Sequence, residues 1–326
     1  MHVSAPQPSV IPIGALGEKF VSALTNQFPS REICQSFFES FLLGVHPVVP
    51  VCHIPTLRQQ HENFWATVSP SYSVESLALI LAVLCTGAAN ASTVDTSSVS
   101  TIFHLYEEIV NIVDFASYHA RNIPASIQLL QGCLIMSTYM ASHLSPFSAY
   151  GFLPQVIRFA QSLRLHAEKK HEDLVSLEVQ SRIWWHLVFL DIESTIATGL
   201  PTIIHRTSYT TQLPALHDDS AIQSIDDLVP RAPHLRSVLI AMQGHYEWAH
   251  RMQTWFASLP SREEVSTFKT LIERLVDLLP DNKHPETEWA KIYLKMQVDR
   301  AYCMLGLRFW QLDQYTGTGC RSEVVE

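Results

Sequence analysis

Residues 178–201 read EVQSRIWWHLVFLDIESTIATGLP, and this stretch constrains the fold more than any other. Neighbouring residues on a helix point about 100° apart. Trp184 and Trp185 therefore cannot both face the centre of one apolar stripe. A helix carrying both has to be covered on most sides, which requires a large core built from other elements. Asp191 lies inside the same apolar run and is a candidate for a buried pair or a cap partner. Arg182 is nine residues earlier, two and a half turns away, and is not its direct partner along the helix. Gly-Leu-Pro at 199–201 is a helix stop.

The rest of the chain supplies the covering elements. Apolar residues recur at helical spacing in residues 31–43 (Phe37, Phe38, Phe41, Leu42) and in residues 101–118 (Ile102, Leu105, Tyr106, Ile109, Val113). The same spacing marks residues 125–142 and 152–165, and helical patterns resume at 235–259, 263–279 and 286–312. Residues 77–89 form a buried helix. Pro47, Pro50 and Pro55 interrupt the chain after Gly44, and Thr56 can cap the helix that follows. Residues 202–233, rich in Thr, Ser, Pro and Asp, read as a long irregular connection. No strand-like alternation of useful length occurs. The expected fold is all-α, one large irregular bundle of about ten helices. The expected organisation is an N-terminal tail over 1–26, the domain over 27–314, and a short tail over 315–326.

Composition narrows the function. Hydrophobic residues make up 47 % of the 326 and charged residues 16 %, a balance that buries a core. The formal charge is −9, from 22 Lys+Arg against 31 Asp+Glu, and the longest basic run is Lys169-Lys170. A domain that grips phosphates presents a basic stripe, so direct nucleic-acid contact is not expected. The 11 glycines do not cluster as a nucleotide-binding fold requires. The six cysteines form no CxxC pair, and four lie in apolar runs, as buried reduced thiols do. Residues 76–94 lack charge, but only 77–85 is densely apolar, short of a membrane span.

The ionisable residues complete no known catalytic pattern. The 16 histidines form no HExxH motif, and Glu168 with His171 gives a single ExxH spacing where a di-iron bundle needs two. Asp218-Asp219 and Asp226-Asp227 are similar to the acidic Mg²⁺ motifs of all-α prenyl diphosphate enzymes, but neither doublet is completed by an acid at i+4. They are expected to be solvated loop acids. An α-helical enzyme acting on an apolar or prenyl diphosphate substrate is nevertheless the alternative function to weigh.

Three segments together resemble the fungal-specific transcription factor domain, the regulatory middle region of fungal zinc-cluster transcription factors. The first, FFESFLLGVHPVVPVCHIPTL over 37–57, is similar to that family's helix followed by His-Pro and Pro-x-x-His, here His46, Pro47, Pro50 and His53. The second, VIRFAQSLRLH over 156–166, resembles the A-x-x-L-G-L-H helix end through Ala160, Leu163, Leu165 and His166, with Arg164 in the Gly position. The third is the stretch described first. Glu178, Arg182, Trp184, Trp185, Leu190, Asp191, Gly199 and Pro201 match its signature, while Gln180, Ser181 and Leu200 stand where arginines are usual. The signature part spans 37–216, and its residues are expected to be structural.

The resemblance implies a nuclear transcription-regulatory domain, not an enzyme. It would act through other regulatory proteins, a homodimer contact, or a small apolar ligand sensed between helices, in control of a secondary-metabolite or catabolic pathway. In complete family members a six-cysteine cluster with two zinc ions reads DNA. The cysteines here run from Cys34 to Cys320 and do not form that cluster, so no cofactor is expected in this chain. The chain reads as a stand-alone regulator without a reader, a fragment, or a trimmed product.

Overall fold

The computed structural model describes residues 27–66, 73–91, 96–111, 123–143, 145–168, 173–214, 219 and 233–316. Among the described residues the fold is all-α, without strands. The helices are α1 (Arg31–Ser40), α2 (Ile54–Ala66), α3 (Val74–Asn90), α4 (Thr96–Asn111), α5 (Ile123–His143) and α6 (Pro146–Tyr150). They continue with α7 (Leu153–Ser162), α8 (Leu174–Thr198), α9 (Pro233–Trp255), α10 (Arg262–Asp277) and α11 (Pro285–Thr316). By their internal contacts the residues group into two compact units. One comprises Met1–Val45 with Arg58–Tyr139, the other His46–Leu57 with Met140–Glu326.

In the first unit α3 is the central element, packed against α1 and α4. It is buried from Val74 through Ala88 except at half-buried Ser76, which explains its apolar run over residues 77–85. Ser73 caps its start by accepting from the Ser76 amide at 3.2 Å. Gly87 lets α1 come close: a Cβ there would lie 2.0 Å from the Phe37 carbonyl oxygen. α1 continues into a single π-helical turn, Phe41–Val45, rather than stopping at Gly44. Cys85 and Cys133 are buried thiols, and Cys133 hydrogen-bonds the buried Tyr106.

In the second unit α8 packs against α6, α7 and α9, and α11 packs against α9 and α10. Trp248, Trp255 and Phe268 form an aromatic core, with ring centroids 5.9–6.4 Å apart. Arg300 lies over Trp248 at 4.5 Å and pairs with Glu193. α10 begins with a complete capping box, Ser261 to Glu264. No helix among the described residues is long and apolar enough to cross a membrane.

Several helices start earlier than the sequence expectation, α4 at Thr96 rather than Thr101 among them. α2 begins at Ile54, two residues before Thr56, because Pro55 fits a first helical turn, where a missing N–H costs nothing. Thr56 does not cap the helix; its hydroxyl meets His53 Nδ1 at 2.7 Å. α8 begins at Leu174 rather than Glu178, since Asp173 accepts the Ser176 amide at 2.9 Å as N-cap. Residues 67–72, 92–95, 112–122, 144, 169–172, 215–218 and 220–232 lie outside the described residues, as do the N-terminal tail over 1–26 and residues 317–326.

Candidate functional site

The signature residues converge on α8 in the second unit. Helix α8 is buried almost continuously from Glu178 to Ile192, so both members of the tryptophan pair are covered, Trp184 at 0 % and Trp185 at 3 % exposure. Trp184 packs between His166 and Tyr209 at centroid distances of 5.9 and 5.7 Å. Trp185 donates its indole N–H to the Gln212 carbonyl at 2.9 Å and meets Tyr209 edge-on.

Arg182 is the electrostatic centre. It is 1 % exposed. Its guanidinium pairs with Asp219 Oδ1 at 2.7 Å and with Glu178 Oε1, one helical turn back, at 2.9 Å. Its Nη1 also reaches the Cys52 carbonyl at 3.4 Å. Asp219 in turn fixes the His-Pro segment. Its Oδ2 accepts the Ile54 amide at 2.8 Å, and its carbonyl oxygen lies 2.9 Å from His53 Nε2. His46 is buried beside this group, its Nε2 3.3 Å from the Cys52 carbonyl. Pro50 is buried and Pro47 half-buried between these two histidines.

The electrostatics follow from burial. Burial alone would raise the Asp219 carboxyl, but Arg182 and the Ile54 amide outweigh it and hold the group below the usual range. Burial pulls the Arg182 guanidinium down, and the two carboxylates more than restore it. Burial pushes the His46 imidazole down to about 4, so it is neutral near pH 7. Burial also raises the Cys52 thiol far beyond the range of a reactive thiolate.

Asp219 corrects the sequence expectation for the acidic doublets. It is a buried ion-pair partner of Arg182, not a solvated loop acid. Its oxygens are directed at a guanidinium and an amide, leaving them unsuited to Mg²⁺. Asp218, Asp226 and Asp227 lie outside the described residues. Among the described residues no group of three His, Cys, Asp or Glu side chains could hold a metal ion.

The other signature residues close the ends of helices. Asp191, 2 % exposed, accepts the amides of Ile203 and Ile204 at 2.7–3.0 Å and pins the chain that leaves α8. Burial still outweighs those bonds and raises its carboxyl. Gly199 takes the left-handed conformation, φ 72°, at the α8 C-terminus, and its amide bonds the Thr195 carbonyl at 2.9 Å. Pro201 follows, exposed. Ala160 and Leu163 are buried at the end of α7. Arg164, after them, has φ 61°. That is the left-handed region, the reason glycine suits this position. The His166 carbonyl accepts the Thr210 amide at 2.9 Å, and the Leu165 carbonyl accepts the Thr211 hydroxyl at 2.6 Å.

The pairing of Arg182 with Glu178 and Asp219 was not foreseen from the sequence. The i,i+4 spacing of Glu178 and Arg182 was a usable signal. Nothing local marks Asp219, which reaches Arg182 from 37 positions further along the chain.

These residues bind one another, so the arrangement is a structural clasp. The chain belongs to the fungal-specific transcription factor domain family, whose model matches residues 35–279, beyond the signature part and through α10. It is 25 % identical over 219 residues to transcription factor macR of Penicillium terrestre, covering 61 % of this chain and 25 % of the relative. It is 26 % identical over 198 residues to transcription factor yanR of Aspergillus niger, covering 55 % and 24 %. It is 24 % identical over 254 residues to the C6 finger domain transcription factor hasF of Aspergillus fumigatus, covering 68 % and 32 %. The family and these relatives are transcription factors, not enzymes. The matched regions thus span about a quarter to a third of these relatives' length. No solved structure matches.

Proposed function

We propose that this chain is the regulatory domain of a fungal transcription regulator, working in the nucleus through contacts with other regulatory proteins. DNA reading is assigned to a separate zinc-cluster module, since the chain carries a net charge of −9 and its sequence has no basic stripe. The observation that carries the reading is the family match over residues 35–279. The internal use of Arg182, Asp219, His46 and His53 agrees with it, because groups engaged in a clasp are not available for chemistry. Sensing of a small apolar ligand between helices belongs to the same proposal, as does control of a secondary-metabolite or catabolic pathway.

The test is a reporter gene in a fungal host, with the chain expressed alone or fused to a heterologous DNA-binding module. The expected result is a change in transcription that depends on the fusion. Unchanged transcription in both forms, with the protein present and folded, would contradict the proposal.

A further inference from the structure

Helix α11 buries Ala290, Leu294, Gln297, Ala301 and Leu305 in its own unit. Its opposite side carries a second apolar stripe that none of the described residues of the unit covers. Ile292 is 70 % exposed, Met296 41 % and Leu307 48 %, and Cys303 is exposed between them. At 100° per residue these four fall within about 60° of one another. Exposed apolar residues scattered singly are ordinary, but a narrow stripe along one helix marks a contact surface.

The spacing of the stripe identifies the occupant. Positions 292, 296, 303 and 307 are separated by intervals that read the same in both directions. Their common midpoint falls between Asp299 and Arg300. A two-fold axis there places Ile292 opposite Leu307 and Met296 opposite Cys303 of a second helix running antiparallel. Such self-complementarity is what an isologous interface requires. The charges agree. Lys295 and Asp299 are exposed on one flank of the stripe. An antiparallel copy brings Lys295 of each chain to within about 7.5 Å, along the axis, of Asp299 of the other, since the rise is about 1.5 Å per residue.

We infer that the α11 face is a homodimer interface, formed by two copies of this chain packing antiparallel about a two-fold axis between Asp299 and Arg300. A single helix pair is small for a specific interface, so the dimer forms in the micromolar range and not more tightly. This inference is independent of the transcriptional reading.

The test uses the full chain. Sedimentation velocity from about 1 to 100 µM is expected to show a monomer–dimer equilibrium, a range set by the interface size. Ile292→Lys, at an exposed position, is expected to weaken it at least about tenfold with an unchanged circular dichroism melt. Geometry is read by cross-linking in a Cys303→Ser, Cys320→Ser background. Asp299→Cys beside the axis is expected to form an interchain disulfide. Glu288→Cys is expected to form none, because the two sites would lie about 35 Å apart along the helices. A monomer throughout, or a dimer indifferent to Ile292→Lys, would overturn the inference and give the stripe to another partner. A disulfide from Glu288→Cys would overturn the antiparallel geometry.

Discussion

Replacing Arg182 by Met tests whether the family signature holds the second unit together. The side chain is 1 % exposed, with carboxylate oxygens at 2.7 and 2.9 Å. At an effective dielectric of about 20, opposite charges about 4 Å apart attract by about 4 kcal/mol. Methionine fills similar space, so the loss falls on Asp219 and Glu178, which stay buried without their cation. Removing one partner of a buried ion pair costs about 3–5 kcal/mol, a large part of an ordinary domain's stability of about 5–15 kcal/mol. Arg58→Met is the control. Its pair with Glu39 spans 2.9 Å, but the side chains are 46 % and 45 % exposed, and such surface pairs contribute about 0–1 kcal/mol. Urea unfolding followed by tryptophan fluorescence reads the second unit through Trp184, Trp185, Trp248 and Trp255. The expected result is a large fall in midpoint for Arg182→Met and a small one for Arg58→Met. Arg182→Met with Asp219→Asn should recover part of the loss, since no bare carboxylate then remains at 219. An Arg182→Met cost as small as that of Arg58→Met would refute the reasoning.

Three further outcomes are expected. Arg164→Gly relieves the left-handed backbone at φ 61° and should stabilise the chain by about 0.5–1 kcal/mol, read as a higher urea midpoint. Gly87→Ala sets a Cβ 2.0 Å from the Phe37 carbonyl oxygen, so α1 and α3 must part, at about 1–3 kcal/mol in the same assay. Stability should also fall as pH drops from about 6.5 toward 4. Burial lowers His46 to about 4 and His186 to about 3, so the unfolded chain takes up protons that the folded chain refuses. At pH 5 each histidine costs about 2 kcal/mol relative to pH 7, and His186→Phe should remove its share of the slope. Equal stability at pH 7 and pH 5 would contradict this.

The helices were legible because their apolar residues recur at helical spacing. The tryptophan pair also announced a helix covered on most sides, as α8 is. The caps Asp173 and Ser261 were not foreseen, although each is an Asp or Ser just before an apolar periodic run. The clasp was not legible. Asp219 has the local sequence of a solvated acid, and only the folded chain carries it to Arg182. The start of α2 was misjudged because three prolines suggested an irregular stretch, although one of them fits a first turn. Arg164 shows why a glycine pattern can be broken: the left-handed turn survives the substitution at a small energetic cost.

The proposed function makes the folded domain the regulatory element. The direct measurement is reporter output from the DNA-reader fusion across the wild-type, Arg164→Gly, Gly87→Ala and Arg182→Met chains, with each variant's folded fraction measured alongside. Output is expected to follow the folded fraction and to vanish where the second unit is unfolded. Full output from an unfolded Arg182→Met chain, present at the wild-type level, would contradict the claim.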